Sequence, residues 1–418
     1  MANIIERWNL IKLENLLDFY IGGDWGEQEP INSNYIETKV LRATDISNWE
    51  NDHGENAQIR YLKDTSLAKR QLKENDLIIE VSGGSPDQPV GRTIIMSSDD
   101  IQKFQYPVTC SNFFRLLRFN NKINPKFINY YFKFLYETKI IESYQSNSTN
   151  LRNLKFSQFL NQNIPVPQTL CEQQEIVDVL DAASEIIRLR TACIESAQSL
   201  IPALFQEMFG DIKNNTKNWK SCNLNDLVYI DRKNISVNEL KSNAYRYIGL
   251  EHIEKDTGKI LIDLENNFNV DLKSNKYYFT NEHVLYGKLR PYLNKVALPT
   301  CDGVCSTDIF PIMPRKNISN KYFIKYLMSS PYFVQITSLK TSGANLPRIG
   351  TKALELIKVI CPDIELQNQF AAKVQEIEEY IKSQQAELEN AKTMFQSLLH
   401  HAFTGELTRH KFGGEANG

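Results

Sequence analysis

The chain has no apolar run near the roughly twenty residues a membrane span requires, and no apolar leader behind a charged amino terminus. No span or signal peptide is therefore expected, and the cytoplasm is the default compartment. Six histidines are scattered without a Ser, His and Asp arrangement for nucleophilic chemistry, and His400-His401 reads as surface. Ser82-Gly83-Gly84-Ser85 lacks the Gly-Lys-Ser/Thr ending of a phosphate-cradling loop. No Asn-Pro-Pro-Phe-like or Asp-Pro-Pro-Tyr-like motif for amino-methyl transfer occurs, and Ser82 stands where a nuclease Glu-x-Lys would need a lysine after Glu80. Seven cysteines, an odd number spread from Cys110 to Cys361, make no disulfide framework. Cys301 and Cys305 form a lone C-x3-C, which reads as buried strand thiols rather than zinc ligands. These absences describe a chain with no catalytic residues, no metal site and no cofactor of its own.

What is present is a repeat. Cys110-Ser111 recurs as Cys305-Ser306, Ile123-Asn124-Pro125-Lys126-Phe127 as Ile318-Ser319-Asn320-Lys321-Tyr322, Asn150-Leu151 as Asn345-Leu346, and Pro167 as Pro362, all 195 residues apart. Upstream the offset widens, with Trp8 to Leu16 answering Trp219 to Leu227 and Asp76-Leu77-Ile78 answering His283-Val284-Leu285. A unit of about two hundred residues has been duplicated, with insertions in the first copy. That period is too long for a solenoid and implies two similar globular halves about a pseudo-twofold axis.

After Pro167 and Pro362 the pattern becomes helical, with apolar residues at alternating spacings of four and three. The first series is Ile176, Leu180, Ala183, Ile187, Ile194, Ala197, Ile201, Leu204 and Met208. The second is Phe370, Val374, Ile377, Ile381, Leu388, Ala391, Phe395, Leu398 and Ala402. Such seams belong to helices that supercoil about each other, here antiparallel. Arg190 and Gln384 interrupt the two seams at the same repeat position; either they set the register of the pair, or Arg190 simply snorkels its charge outward. Pro202 should kink the first helix or end it a turn early. At 1.5 Å per residue each rod would be roughly 55 Å long.

The halves, residues 1–165 and 212–362, read as mixed α and β. Strands are expected at Val40-Leu41, Leu77 to Val81, Thr93 to Met96 and Phe113 to Leu117, and at Tyr247 to Leu250, Val284 to Tyr286, Asn294 to Leu298 and Ile309 to Met313. Helices are expected at Lys126 to Tyr144 and Lys321 to Leu339. The net charge of −2 conceals a segregation: residues 212–364 carry 22 basic and 14 acidic side chains, whereas 171–211 carry 2 basic and 8 acidic. Either the basic residues form a solvated surface, or each half carries a basic footprint. Glycine-rich loops at Gly22-Gly23-Asp24-Trp25-Gly26, Ser82 to Pro86, Gly287-Lys288-Leu289-Arg290-Pro291 and Ser342 to Arg348 would let backbone approach a ligand beside Arg92, Lys288, Arg290 and Arg348.

Several segments together resemble the specificity (S) subunit of type I DNA restriction-modification systems, over essentially the whole chain. They are Trp8-Asn-Leu-Ile-Lys-Leu and Trp219-Lys-Ser-Cys-Asn-Leu, Tyr247-Ile-Gly-Leu-Glu-His-Ile, Gly287-Lys-Leu-Arg-Pro-Tyr-Leu, Ile164-Pro-Val-Pro with Glu172-Gln173, and Phe403-Thr-Gly-Glu-Leu-Thr. Leu366-Gln367 departs from the usual Glu-Gln at the second helix start, and Pro347-Arg348 answers Arg152-Asn153. The resemblance implies an α+β protein with target-recognition domains at 1–165 and 212–362, helical spacers at 166–211 and 363–408, and a tail at 409–418. It implies a non-catalytic subunit that binds double-stranded DNA, each half reading one part of a bipartite target. It further implies two methyltransferase (M) subunits as partners, joined by restriction (R) subunits, with S-adenosylmethionine, ATP and Mg used by those partners. Candidate DNA contacts are Trp25, Ser82 and Arg92 in the first half and Lys288, Arg290 and Arg348 in the second. A scaffold that organises partners without reading sequence, and a stand-alone methyltransferase or nuclease, are the competing readings.

Overall fold

A computed structural model describes residues 8–47, 49–85, 87–148, 151–263, 272–404 and 407. Pro86, Asn150, Gly405, Glu406, Thr408 and the 409–418 tail, all named above, lie outside the described residues. The chain forms two compact units, 1–191 with 386–418, and 192–385. The division passes through both long helices, Leu170–Phe209 and Ile364–Thr404, rather than separating them from the globular halves.

The first unit is built on an antiparallel sheet in the order Leu17–Gly22, Phe114–Phe119, Leu77–Glu80, Thr93–Ile95. The second has the same order from Val228–Ile230, Ile309–Pro314, Val284–Gly287, Val296–Ala297. Each also has a smaller mixed sheet containing one parallel pair, Tyr35–Leu41 with Val108–Cys110 in one and Tyr247–Ile248 with Gly303–Cys305 in the other. In both units the strand after the opening tryptophan pairs antiparallel with the strand before the long helix: Asn9–Lys12 with Asn163–Val166, and Ser221–Asn223 with Lys358–Ile360. The expected α+β duplication is thus present in the main sheet, the opening strand pair and the parallel pair, while the mixed sheet has three strands in the first unit and four in the second. Cys110 and Cys305 are buried strand thiols at equivalent positions, and burial pushes the Cys110 thiol up to about 12.

Two expected helices are shorter than their apolar patterns. The helix beginning at Pro125 stops at Glu137, because Lys139 turns left-handed (φ 60°) before a short 3-10 turn over Ile140–Tyr144. The stretch from Lys321 to Leu339 is two helices, Lys321–Met328 and Pro331–Leu339. Pro331 disfavours helical geometry at Ser330, which is extended (ψ 146°) and caps the next helix by accepting from the Phe333 amide.

The long helices pack against each other within each unit, with exchanged roles. In the first unit the start of the first helix (Ile176, Val177, Leu180) and the end of the second (Leu399, Ala402, Phe403) share one core with Phe127, Ile128 and Tyr131. In the second unit the end of the first helix (Ile201, Phe205, Phe209) and the start of the second (Phe370, Val374) share a core with Phe323 and Phe333. The pair is therefore antiparallel. Its buried face differs at each helix's end from the seam extrapolated along it: Phe205 and Phe209 are buried and Leu204 and Met208 only partly so, as are Leu399 and Phe403 relative to Phe395 and Leu398. A helix that passes from one helical partner onto a globular core must turn a broader face inward, and one residue is about 100° of rotation.

Pro202 neither ends nor shortens the first helix, which continues to Phe209. A proline inside a helix costs about 3 kcal/mol. Burying two phenylalanines, Phe205 and Phe209, about one and two turns later returns roughly 1.5–3 kcal/mol each, enough to hold the last turns in place.

One pair of buried amides explains why glutamine follows the first residues of each long helix. Gln173 Oε1 accepts from the Asn124 amide (2.8 Å) and its Nε2 donates to the Pro167 carbonyl (3.4 Å). Gln367 repeats this with the Asn320 amide (3.0 Å) and the Pro362 carbonyl (2.8 Å). Each glutamine locks helix start, preceding proline and globular domain together. Glu172 forms a capping box with Thr169, a role that Leu366 cannot take, so the departure at 366 touches only the cap.

Candidate nucleic-acid interface

In the second unit the loop after Val284–Gly287 is zipped to the segment preceding Ile349. Lys288 donates its amide to the Asp308 carbonyl (2.9 Å) and accepts from the Ile349 amide (3.1 Å), while the Arg290 amide donates to the Pro347 carbonyl (2.7 Å). Leu289 and Arg348 form an antiparallel bridge. Residues some sixty positions apart are thereby set side by side, and their charges collect around one carboxylate. Asp308 accepts from Arg348 Nε (3.0 Å) and Nη2 (3.2 Å), and Lys288 Nζ lies 3.9 Å away. Lys288 is half-buried over the Phe310 ring, and that burial lowers its pKa from the usual lysine value. The Asp308 hydrogen bond raises that of Arg348.

Arg290 is exposed and has no side-chain hydrogen bond or ion pair among the described residues. Its backbone is left-handed (φ 50°), an unfavourable state for a non-glycine residue before proline. The zipped neighbours hold it there.

The first unit builds the same frame. The Val81 amide donates to the Phe113 carbonyl and the Leu154 amide to the Val81 carbonyl, both at 2.8 Å, as Lys288, Asp308 and Ile349 do in the second unit. Ser82 pairs with Asn153 where Leu289 pairs with Arg348. Position by position, Phe113 stands for Asp308, Asn153 for Arg348, Val81 for Lys288 and Gly83 for Arg290. The chemistry nevertheless differs: Ser82 Oγ donates to Asn153 Oδ1 at 2.5 Å, and Phe113 is 48% exposed beside Gly83, whose φ of +96° suits glycine. One frame thus carries a cationic cluster in one copy and a neutral amide, hydroxyl and aromatic ring in the other.

Of the six nominated residues, Lys288, Arg290 and Arg348 are brought together, and Ser82 occupies the equivalent place in the first unit. Arg92 does not join it. Its guanidinium grips the buried Glu80 through Nε (2.9 Å) and Nη2 (2.7 Å), with Nη1 on Ser47 Oγ (2.8 Å), leaving 15% of the side chain exposed. The Glu80 hydrogen bond raises its pKa against the opposing effect of burial. Trp25 lies in a separate corner, half-buried against Val40, Leu62 and Leu67 with the Arg60 guanidinium 4.8 Å from its ring centroid. Arg190 Nη2 lies 3.4 Å from Glu387, and Gln384 is half-buried on the second long helix.

Asn153, Phe113 and Asp308 were not nominated from sequence. The sequence pairing of Pro347-Arg348 with Arg152-Asn153 already set Asn153 opposite a nominated arginine, whereas Phe113 and Asp308, also 195 residues apart, answer only each other.

Among the described residues no group of three or more His, Cys, Asp or Glu is placed to hold a metal ion. No described helix is long and apolar enough to cross a membrane. The molecule is a tandem α+β protein whose two units present one loop frame with two sets of side chains and share a pair of long antiparallel helices.

Proteins similar to this chain include type I restriction-modification components. Residues 5–197 match the family model described as "Type I restriction modification DNA specificity domain". The chain is 31% identical over 166 residues to the EcoDI specificity subunit of Escherichia coli, an alignment covering 39% of this chain and 36% of that one. It is 22% identical to the StySPI specificity subunit of Salmonella potsdam over 96% of this chain and 90% of that one. Its fold matches the S subunit from M. genitalium (TM-score 0.54, 15% identity, 96% and 97% coverage). It also matches a chain from a structural study of type I R-M complex assembly and conformational transition (TM-score 0.58, 14% identity, 97% and 100% coverage). Residues 5–197 are thus similar to the type I restriction modification DNA specificity domain, and nearly the whole chain is similar to a type I restriction enzyme specificity subunit.

Proposed function

We propose that the chain is the DNA-reading subunit of a type I restriction-modification complex, each globular unit reading one half of a bipartite double-stranded target. The observation that carries this reading is the loop frame common to both units, repeated in backbone hydrogen bonds and divergent in its side chains. A duplicated scaffold with unlike tips suits two half-sites of unlike sequence, whereas a scaffold that only organises partners would gain nothing from the divergence. Exposed cations such as Arg290 supply phosphate attraction, and planar or hydrogen-bonded tips such as Arg348 and the Ser82–Asn153 pair supply selectivity. The long helices set the gap between half-sites and dock two methyltransferase subunits, with restriction subunits joining them. Arg190, paired with Glu387, and Gln384 keep the helices in register. S-adenosylmethionine, ATP and Mg belong to those partners, and the complex works in the cytoplasm, where its DNA lies.

The test is to map methylated adenines in cells with and without the chain, and again after inserting one helical turn in the first long helix. The expected result is a bipartite motif that requires the chain, and unchanged half-sites separated by a changed gap after insertion. Methylation that persists without the chain, or a gap indifferent to the insertion, would overturn the reading.

A further inference from the structure

The Arg348 side chain is both oriented and accessible. A guanidinium carries five N–H donors in fixed directions within one plane. In Arg348 the edge formed by Nε and Nη2 is occupied by Asp308, at 3.0 and 3.2 Å, and this two-point contact fixes the plane. The Nη1/Nη2 end of the fork remains, and the side chain is 40% exposed. Its other contact, from Nη1 to the Leu346 carbonyl, is 3.4 Å, long for an N–H···O bond. Two parallel donors held at that end match the N7 and O6 acceptors that guanine alone presents side by side in the major groove. A phosphate contact would not require such orientation, and the unbuttressed Arg290 beside it suits that role.

Arg92 shows why the arrangement is selective. It makes the same two-point contact with Glu80, but its Nη1 is taken by Ser47 and the side chain is nearly buried. In the first unit the place of Arg348 is taken by Asn153, which has no guanidinium to offer.

We infer that Arg348, held in plane by Asp308, reads a guanine in the half-site of the second unit. This rests on the DNA-reading role proposed above. Asp308 is a positioning residue that acts through Arg348.

The test uses the chain assembled with its methyltransferase subunits. Methylome mapping with Arg348→Ala is expected to show one position, a guanine in the wild-type motif, becoming degenerate, and Asp308→Asn should relax that same position while the others stay intact. A structural role for Asp308 would instead weaken all positions of the half-site together. Replacing the guanine by 7-deazaguanine in a synthetic site should weaken binding of the wild-type complex about 10- to 100-fold, and this arm requires no variant to fold. A motif unchanged by Arg348→Ala with affinity lowered equally for all sequences, or wild-type binding indifferent to 7-deazaguanine at every guanine of the motif, would overturn the assignment alone. A wild-type complex without sequence-selective methylation would overturn the DNA-reading role itself.

Discussion

Arg92 and Arg348 look alike in sequence, each an arginine near a glycine-bearing loop, and a single substitution separates their roles. Arg92→Ala removes three side-chain hydrogen bonds, two of them to Glu80, whose carboxylate side is 1% exposed. Breaking a buried ion pair from one side typically costs about 3–5 kcal/mol, because the remaining charge has neither partner nor water. Arg92 retains 15% exposure, so the lower part of that range applies. A domain of this size shifts its melting midpoint by about 2–4 °C per kcal/mol, so the first unit should melt roughly 6–15 °C lower. The double replacement Glu80→Leu with Arg92→Met removes both charges and should recover most of that loss. Calorimetry on the full chain reads both variants, with DNA affinity measured well below the new midpoint. An unchanged midpoint with DNA affinity lost would refute the reasoning and return Arg92 to the interface.

Two further outcomes follow from the second unit. Phe370, fully buried against Phe205, Phe209 and Tyr326, joins the long helix to the globular core, so Phe370→Ala should destabilise that unit by about 3–5 kcal/mol, measurable by urea unfolding. His283 is buried, and desolvation lowers its pKa below the ordinary value near 6.5 despite Asp231 at 3.6 Å. The native state then binds fewer protons than the unfolded one just below that pH, so this contribution to stability is complete above about pH 6.5 and is lost as pH falls from there toward the folded-state pKa. Unfolding free energies between pH 7 and 5 should therefore decline more steeply for the native chain than for His283→Gln; equal slopes would exclude the effect.

Much of the architecture was legible because it rests on periodicity. The 195-residue offset foretells two units with the same strand order, and the four-three spacing locates both long helices to within a few residues. The errors fall where a second neighbour intervenes. Leu204 and Met208 continue the seam on paper, yet Phe205 and Phe209 are buried because the helix there faces a globular core as well as its partner. Pro202 reads as a breaker, but aromatic burial a turn later outweighs the lost hydrogen bond. The run from Lys321 to Leu339 reads as one helix on apolar spacing, although Pro331 sets a break at Ser330 through local sterics alone.

The candidate interface was legible in composition more than in membership. Glycine loops with nearby cations mark Lys288, Arg290 and Arg348 in sequence, but nothing along the chain says that residues 288–290 lie against 347–349 or that Asp308 sits between their charges. The sequence by itself determined the duplication, the α+β class, the helix pair and the resemblance to specificity subunits, since each follows from spacing and from motifs repeated in order. Only the tertiary structure decided which arginine is spent on a buried carboxylate and which is held open beside a half-buried one. The reason is that a guanidinium's availability depends on the burial and direction of its partner, and chain separations of 12 residues for Glu80–Arg92 and 40 for Asp308–Arg348 encode neither.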